Sequence, residues 1–383
     1  MTVKNRLHLP APKPDQVLLM RAALLSGDHG RNAYAAWRTT HVVTELDADS
    51  DRVLPLLAYN LDRLGVDDEN RDRLRGVWRH TWVNNARLLA GVSDGLRILS
   101  EAGIPMMLIK GAALIASGIA PNSGVRPMDD VDVLVRRADA PRAVELLAES
   151  GWRWKGANSF DLVFGRAHGN SLFDAERRQI DLHWSSLSLE IVADDVLWER
   201  ASPADLHGQR VFVPTAADQL VLVCLHGVAW HGAGLRWMLD ATLIIQGSEG
   251  PGEPLVWQDV VDEARRRHAA HRLASQLQLL RDLLDTEVPV WVVDALRSAP
   301  LLLVDRVLQM SMSLPGWGPK TYLSSWERSR RLAALPVPVH EGIFDHTMRG
   351  LGMTRRRELW VDFPIRAVRY FIGLVKKRRL RTD

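Results

Sequence analysis

Apolar residues recur every three or four positions through most of the first hundred residues, which is the spacing of amphipathic helices. The longest such run, Asn70–Leu99, predicts one long helix, and Gly103 follows it as a typical helix-ending glycine. Helical spacing returns after Thr215. The strongest later candidates are Ala217–Val228, Leu235–Gln246, Val256–Arg267 and His271–Leu284. The pattern predicts helical regions on both sides of a different middle segment.

The middle segment contains short apolar runs that are typical of buried strands. Pro105–Ile109 and Asp130–Val135 are the clearest, with an alanine-rich helical candidate, Gly111–Ile119, between them. Further strand candidates are Arg153–Lys155, Leu162–Arg166, Ser171–Asp174 and Gln179–Trp184.

These patterns predict an α+β fold with a small mixed β-sheet at its core. The core is assigned to residues 103–188, between an N-terminal helical region at 1–102 and a C-terminal helical region at 189–383. A hydrophobic content of 46% in 383 residues is ample for a buried core, and 25% charged residues is ordinary for a soluble protein.

Charge and cysteine content narrow the function classes. The net charge of only +3 gives no global signature of nucleic-acid binding. The single cysteine, Cys224, excludes an internal disulfide framework and a cysteine-rich zinc site, and favours a reducing compartment. The first 19 residues carry prolines and charges where a signal peptide would be apolar, and no long apolar run follows. We expect a cytoplasmic protein without a transmembrane segment.

The last segment, Arg366–Arg381, holds seven arginines or lysines and no acidic residue. Such a run is usually a solvated face. Its apolar residues also permit contact with an anionic partner such as RNA or a membrane surface.

Two aspartates interrupt the second apolar run of the middle segment. Asp130 and Asp132 are two positions apart, so in a strand they share a face, with Cα atoms about 6.6 Å apart. Carboxylates in such a run are costly unless a cation compensates them, although a solvated strand end or a helix cap would also account for them. Asp181 alternates with Ile180 and Leu182 and is the best candidate for a third carboxylate on a neighbouring strand. Together they favour phosphate chemistry on magnesium.

The order of these pieces resembles the nucleotidyltransferases of the DNA polymerase β superfold. The matching residues are the Lys110-Gly111 turn, Arg126 before the Asp130-x-Asp132 strand, and Asp181-Leu-His-Trp. The chain is most similar to the branch of bacterial uncharacterised nucleotidyltransferases, in which Lys-Gly-Ala-Ala-Leu replaces the common Gly-Ser. The resemblance covers roughly residues 17–246.

The resemblance implies that Asp130, Asp132 and Asp181 hold two Mg²⁺ or Mn²⁺ ions and that an NTP is the co-substrate. It further implies nucleotidyl transfer to an acceptor, with release of pyrophosphate. The backbone N–H groups of Gly111 and Ala112 would bind the nucleotide phosphates at a helix N-terminus.

The resemblance also gives roles to side chains around the acidic set. Lys110 and Arg126 would neutralise phosphate charge, although Lys110 could be an ordinary salt-bridged lysine and Arg126 could brace an aspartate. His183 is a candidate nucleotide contact or a hydrogen-bonded structural residue. Arg236 and Trp237 would line the cleft, with the tryptophan either stacked on a base or packed in the core.

The resemblance does not identify the acceptor molecule. The branch tends to occur beside natural-product genes, so the resemblance favours a hydroxyl or phosphate of a small molecule or a modified peptide. Alternatives are a toxin-like transferase acting on tRNA or protein, and a scaffold that binds nucleotide without turnover. The net charge does not support an RNA acceptor, and the oligomeric state is unknown.

His226, His231 and Asp240 could suggest a second metal cluster. The two histidines are five positions apart, which places them poorly on one face of a helix.

Overall fold

The N-terminal part of the protein is helical, as the hydrophobic spacing predicts. The computed structural model describes residues 11–155, 160–164, 167–188, 192–231, 234–247 and 254–301. The long helix is confirmed: α5 runs without a break over 31 residues. The N-terminal helices are α1 (Pro14–Leu24), α2 (Gly27–Arg38), α3 (Ala48–Asp51), α4 (Leu54–Leu64) and α5 (Arg71–Glu101).

A seven-stranded mixed sheet forms the centre of the described chain, in the order β3-β4-β5-β2-β1-β7-β6. Strand β1 pairs antiparallel with β2 and parallel with β7, while β2 pairs parallel with β5. The predicted α+β class with flanking helices is therefore confirmed. The strands are β1 (Met106–Leu108), β2 (Val131–Val135), β3 (Arg153–Trp154), β4 (Gly169–Phe173), β5 (Gln179–His183), β6 (Ser202–Leu206) and β7 (Gln209–Val213).

The two faces of the sheet pack against different helices. Short helices α6 (Lys110–Ala116) and α7 (Ala140–Glu149) connect the central strands. Val131 and Val133 of β2 belong to an apolar cluster with α5 and α7. Leu134 belongs to a second cluster, formed mainly with the N-terminal and C-terminal helices. Because side chains in a strand alternate between faces, Asp132 lies on the same face as Leu134.

One strand prediction was wrong. The segment predicted as a strand at Leu162–Arg166 is helical in its described part, α8 (Phe160–Phe164). Phe160 and Phe164 are four positions apart, so a helix places both on one side. Their rings pack on Trp184 with centroid distances of 5.8 and 5.5 Å. Tertiary aromatic packing therefore outweighs the local strand preference of this segment.

The sheet also contains a hairpin that the hydrophobic pattern did not predict. Strands β6 and β7 lie beyond residue 188, are joined by His207 and Gly208, and pair antiparallel. Both turn residues have positive φ, 51° and 80°, as in the tight turns that match the twist of a hairpin. The glycine in this pair was the available sequence signal. The assigned domain boundaries remain predictions.

A buried charge network joins the C-terminal helices to the segment between β5 and β6. Glu263 is 2% exposed and accepts hydrogen bonds from Arg200 (2.9 Å), Arg266 (2.7 Å) and Arg267 (2.6 Å). Arg267 also donates to Asp194, in the segment that follows β5. The helices are α9 (Asp195–Arg200), α10 (Ala216–His231), α11 (Arg236–Gln246), α12 (Trp257–Arg266), α13 (Ala270–Leu284) and α14 (Val290–Arg297).

Among the described residues, no helix is both long and apolar enough to cross a membrane. The basic segment Arg366–Arg381 lies outside the described residues.

Candidate active site

Parallel pairing of β2 and β5 brings the predicted acidic residues together. Asp132 is the register partner of Asp181, and Leu134 is the register partner of His183. Register partners share a face, so Asp132, Asp181 and His183 all point toward the side covered by the N- and C-terminal helices. Asp130 comes directly before β2. Two carboxylates from separate strands and His183 thus meet at one place on the sheet, although Asp132 is 51 positions from His183 in the chain.

The imidazole of His183 lies between two of these carboxylates. Its Nε2 atom is 2.9 Å from Oδ1 of Asp132 and 3.3 Å from Oδ2 of Asp181. Lys110 adds a second contact, with its Nζ 2.6 Å from the same Asp132 oxygen. Asp132, Asp181 and His183 each offer one ligand atom, all within 4.8 Å of one another. Two carboxylates and an imidazole at this separation fit a divalent cation.

Electrostatics within this cluster differ between the two aspartates of β2. Burial alone would raise the pKa of Asp132, but the neighbouring Lys110 and His183 hold the pKa of this carboxyl well below its usual range. Burial, together with the nearby charges of Asp132 and Asp181, raises the pKa of Asp130 to about 6. Since the two groups titrate far apart, Asp132 is ionised at neutral pH while Asp130 can still take up a proton.

Asp181 has additional support from the neighbouring strand β4. Ser171, its register partner on that side, donates from Oγ to Oδ1 of Asp181 at 2.9 Å. Gln179 donates to the same serine at 3.2 Å. Although burial alone would raise the pKa of Asp181, His183 lowers it overall. The sequence analysis missed Ser171 and Gln179; the spacing of two between Gln179 and Asp181 on β5 was a usable signal, whereas Ser171 is placed by the pairing of β4 with β5.

Glycine at position 111 has a structural reason in this protein. A Cβ atom built there would lie 1.9 Å from Nη1 of Arg126 and 2.6 Å from its Cζ. The guanidinium therefore packs directly on the backbone at the start of α6. Ala112 is 2% exposed and belongs to the apolar core. The predicted phosphate contacts of Gly111 and Ala112 remain predictions, as does the role of Lys110, whose φ of 55° is strained for a non-glycine residue.

Arg126 braces an aspartate, and that aspartate is Asp240 of α11. Nε of Arg126 donates to Oδ1 at 2.9 Å and Nη2 donates to Oδ2 at 2.8 Å. Both side chains are at most 10% exposed, so this is a buried two-pronged ion pair. Asp240 is thus engaged with Arg126, which weakens the idea of a metal cluster with His226. The side chain of His231 lies outside the described residues.

The loop before β2 is held by the long helix α5. Asn85 is fully buried, donates to the backbone carbonyls of Ser123 and Arg126, and accepts from the backbone N–H of Met128. Trp78 donates to the side chain of Asn122 at 3.0 Å. These contacts between distant parts of the chain set where Arg126 and the aspartates lie, and no local pattern predicted them.

A cavity of about 320 Å³ opens beside β2 and is lined by Lys110, Asp130 and Asp132, whereas Asp181 and His183 are not among its lining residues. Asp129, at its edge, forms ion pairs with Arg52 from the N-terminal region and with Arg236 at 3.6 Å. Trp237 also lines the cavity, but it is only 5% exposed and packs against Gly227, where a Cβ would lie 2.2 Å away. The N-terminal helices, the sheet and α11 therefore all contribute walls, and much of the tryptophan belongs to the core.

Comparison with solved structures gives a distant match. A crystal structure of an antigenic nucleotidyltransferase-like protein from Paracoccidioides brasiliensis covers 54% of this chain and 96% of that one. The sequence identity is 14% and the TM-score is 0.34, a value that does not establish a common fold. No curated protein sequence matches the chain significantly.

The family comparison is more informative. The model of the family described as "Uncharacterised nucleotidyltransferase" matches residues 47–285, which is more than half of the 383 residues. The match includes α5, the central strands and α11, and therefore every residue of the candidate site. The chain belongs to this family.

Proposed function

We propose that this nucleotidyltransferase-family protein is a metal-dependent enzyme of the DNA polymerase β superfold. It transfers a nucleoside monophosphate from an NTP to an acceptor hydroxyl or phosphate. The observation that carries the proposal is the convergence of Asp132 and Asp181 on one face of the sheet, beside a cavity that Asp130 and Asp132 line. Buried carboxylates clustered at a cavity are typical of functional sites, although here Lys110 and His183 already compensate part of their charge.

Asp130, Asp132 and Asp181 would hold the divalent ions, Mg²⁺ or Mn²⁺. When bound, such ions supply charge stabilisation to the attacking and leaving oxygens of an in-line phosphoryl displacement. The protein's own contribution is to hold the carboxylates in fixed positions. Ser171 orients Asp181 through a 2.9 Å hydrogen bond, and His183 orients both Asp132 and Asp181. Prepositioned groups avoid reorganisation during the reaction.

Lys110 is the side chain best placed to meet the nucleotide phosphates. It lines the cavity and at present donates to Asp132, which a divalent ion would neutralise in its place. Its ammonium group would then be free to move to the phosphate oxygens. Arg52 and Arg236 add positive charge at the cavity edge. Among the described residues, Asp129 is the one acidic residue that pairs with both. Burial and the charges of Arg126 and Arg52 lower the pKa of Arg236, which reflects this crowding of cations.

A small molecule or modified peptide is the favoured acceptor. The cavity of about 320 Å³ is at the lower end of the range for small-molecule sites, so the acceptor must approach from its open side. An acceptor tRNA would need a larger basic surface. The nearly balanced charge of +3 over the whole chain supports the small acceptor.

The experiment is pyrophosphate release from each NTP with Mg²⁺ or Mn²⁺, over a panel of small-molecule, peptide and tRNA acceptors. Asp132→Asn and Asp181→Asn should each lower the rate at least about 100-fold, because even changes behind a metal ligand cost about 10–100-fold. Asp94→Asn is the matched control, since Asp94 is 69% exposed on α5. Circular dichroism checks that each variant is folded.

Two results would overturn the proposal. One is full activity in a folded Asp132→Asn variant, which would remove the acidic set from the chemistry. The other is tight NTP binding without pyrophosphate release for every acceptor class, which would favour a nucleotide-binding scaffold.

A further inference from the structure

We propose that Asp132, Asp181 and His183 form a metal site with mixed oxygen and nitrogen ligands, in which Nε2 of His183 binds the ion directly. Such a site selects a first-row transition ion such as Mn²⁺ or Co²⁺ over Mg²⁺. The inference rests on the proposed function for the role of the ion, but the ligand set can be tested by itself. It differs from the set of three carboxylates expected from the sequence, because it includes an imidazole.

Two of the three distances between the donor atoms match those around one ion, and all three atoms lie within 4.8 Å of one another. Transition ions bind nitrogen and oxygen at about 2.1 Å, so two ligands of one ion lie about 3.0 Å apart at a right angle and about 3.4 Å apart at a tetrahedral angle. Nε2 of His183 is 2.9 Å from the oxygen of Asp132 and 3.3 Å from that of Asp181. A small outward shift of the three groups would place an ion between them.

His183 is built into the sheet in a way that leaves it little freedom. The side chain is 1% exposed, and its Nδ1 atom has no hydrogen-bond partner among the described residues. Only Nε2 therefore faces polar groups, and these groups are the two aspartates. The ring fits because residue 169 is glycine: a Cβ there would lie 2.9 Å from Nδ1 and 2.7 Å from the carbonyl oxygen of Leu182. The ring is held by packing and not by a hydrogen bond from Nδ1, and a buried imidazole fixed in this way is a preorganised ligand.

A cation already compensates the carboxylates in this structure. The ammonium of Lys110 lies 2.6 Å from the same Asp132 oxygen that contacts His183. This position marks where positive charge is favoured. A divalent ion would displace the ammonium, Nε2 would release its proton to solvent, and with the remaining ring proton on Nδ1 it would present its lone pair to the ion.

The ligand chemistry decides the selectivity. Mg²⁺ prefers oxygen ligands in a near-ideal octahedron and keeps several of its waters. Imidazole suits ions later in the first transition row, and affinity for such a site rises from Mn²⁺ to Co²⁺ and beyond. Replacing one carboxylate by His183 therefore weakens Mg²⁺ binding relative to Mn²⁺ and Co²⁺.

The test uses the full-length protein without a histidine tag and without nucleotide. Mn²⁺ is added at less than one equivalent, and pulsed electron paramagnetic resonance measures coupling of the ion to ¹⁴N. We expect imidazole nitrogen coupling in the wild type and its loss in His183→Gln. The Mn²⁺ Kd should rise at least about tenfold in that variant, with a much smaller change for Mg²⁺. His29→Gln, an exposed histidine on α2, is the control and should match the wild type.

Absence of ¹⁴N coupling in the wild type overturns the inference and needs no variant, so a misfolded His183→Gln cannot hide the answer. Coupling that persists in folded His183→Gln would assign the nitrogen to another histidine and would also overturn it. In either case His183 would be a positioning residue that pairs with two carboxylates. If pyrophosphate is released with Mg²⁺ but no ¹⁴N coupling is observed, the proposed function stands and only the metal-site inference fails. Coupling lost in the variant, without turnover of any NTP, would support the metal site and reject the function.

Discussion

Replacing Gly111 by alanine should destabilise the protein by breaking a contact made elsewhere. The added Cβ would lie 1.9 Å from Nη1 of Arg126, whereas ordinary contact begins near 3.4 Å. The guanidinium must therefore move by about 1.5 Å or more to restore an ordinary van der Waals distance from the new Cβ. Its hydrogen bonds to Asp240, at 2.9 and 2.8 Å, cannot survive such a movement.

The magnitude follows from that ion pair. Hydrogen bonds to charged groups contribute about 1.5–3 kcal/mol each, and breaking a buried pair costs about 3–5 kcal/mol. Alanine offsets up to about 1 kcal/mol of this through its better helix propensity. We expect Gly111→Ala to lower the free energy of unfolding by about 2–4 kcal/mol. Met128, whose Sδ would be 2.9 Å from the new Cβ, can move because its side chain is flexible.

The assay is urea unfolding followed by tryptophan fluorescence, with Gly111→Ala measured in two backgrounds. In the wild-type background, Gly111→Ala should lower the free energy of unfolding by the amount given above. In Arg126→Ala/Asp240→Asn, which removes the guanidinium and one buried charge, the same substitution should be neutral or slightly stabilising. Gly76→Ala is the matched control, because Gly76 lies in α5 with nothing within 4 Å of an added Cβ.

The reasoning is refuted if Gly111→Ala costs the same in both backgrounds. Sites without shared partners add to within about 0.3–0.5 kcal/mol, so a coupling of 2 kcal/mol or more is easily resolved. Equal costs would mean that the glycine is needed for its backbone conformation or for a ligand, and that its contact with Arg126 is incidental.

Lys110→Met should tighten Mg²⁺ binding in the absence of nucleotide, because the ammonium no longer competes for Asp132, and it should weaken NTP binding in the presence of Mg²⁺. Calorimetry measures both affinities. If neither affinity changes, the role given to this lysine is contradicted. Because the pKa of Asp130 is raised to about 6, Mn²⁺ affinity should fall as the pH decreases below that value, and a folded Asp130→Asn variant should lose the part of this dependence that Asp130 contributes. The rest should come from His183, whose pKa burial would lower but the two aspartates raise overall. The guanidinium neighbours of Glu263 outweigh its burial and lower its pKa from 4.5 to about 2. A depressed carboxyl pKa stabilises the folded state above the unfolded pKa, and this contribution is lost as the pH falls from about 4.5 to about 2. Glu263→Gln should therefore lower the free energy of unfolding at pH 7 and make it fall less steeply over this acidic range. An equally steep fall in the variant would count against this assignment of the Glu263 contribution.

Strand and helix assignments followed from the sequence wherever the apolar period was clear. The 31-residue helix α5 and the strands around Asp132 and Asp181 are of this kind. The segment at Leu162–Arg166 failed because its apolar residues suit either period, and packing of the phenylalanines on Trp184 decided for a helix. The hairpin of β6 and β7 was missed because its weak alternation lay within a region dominated by helical spacing.

Alternation within each strand was enough to put Asp181 on a polar face and to nominate it beside the Asp130-x-Asp132 strand. The sequence could not specify which strands are neighbours, nor their register, and a shift of one residue in register would move Asp181 to the opposite face from Asp132. Similarly, Lys-Gly in a turn suggested phosphate binding, whereas the contact that excludes a side chain at position 111 comes from Arg126.

The sequence by itself determined the kinds of element, the face of each strand and the residue types available for chemistry, because periodicity and composition are properties of neighbouring positions. Tertiary structure alone decided the partners: Asp132 with Asp181 and His183, and Arg126 with Asp240, 114 positions away. Such pairs depend on which apolar faces pack together, and that choice is made by the whole core at once.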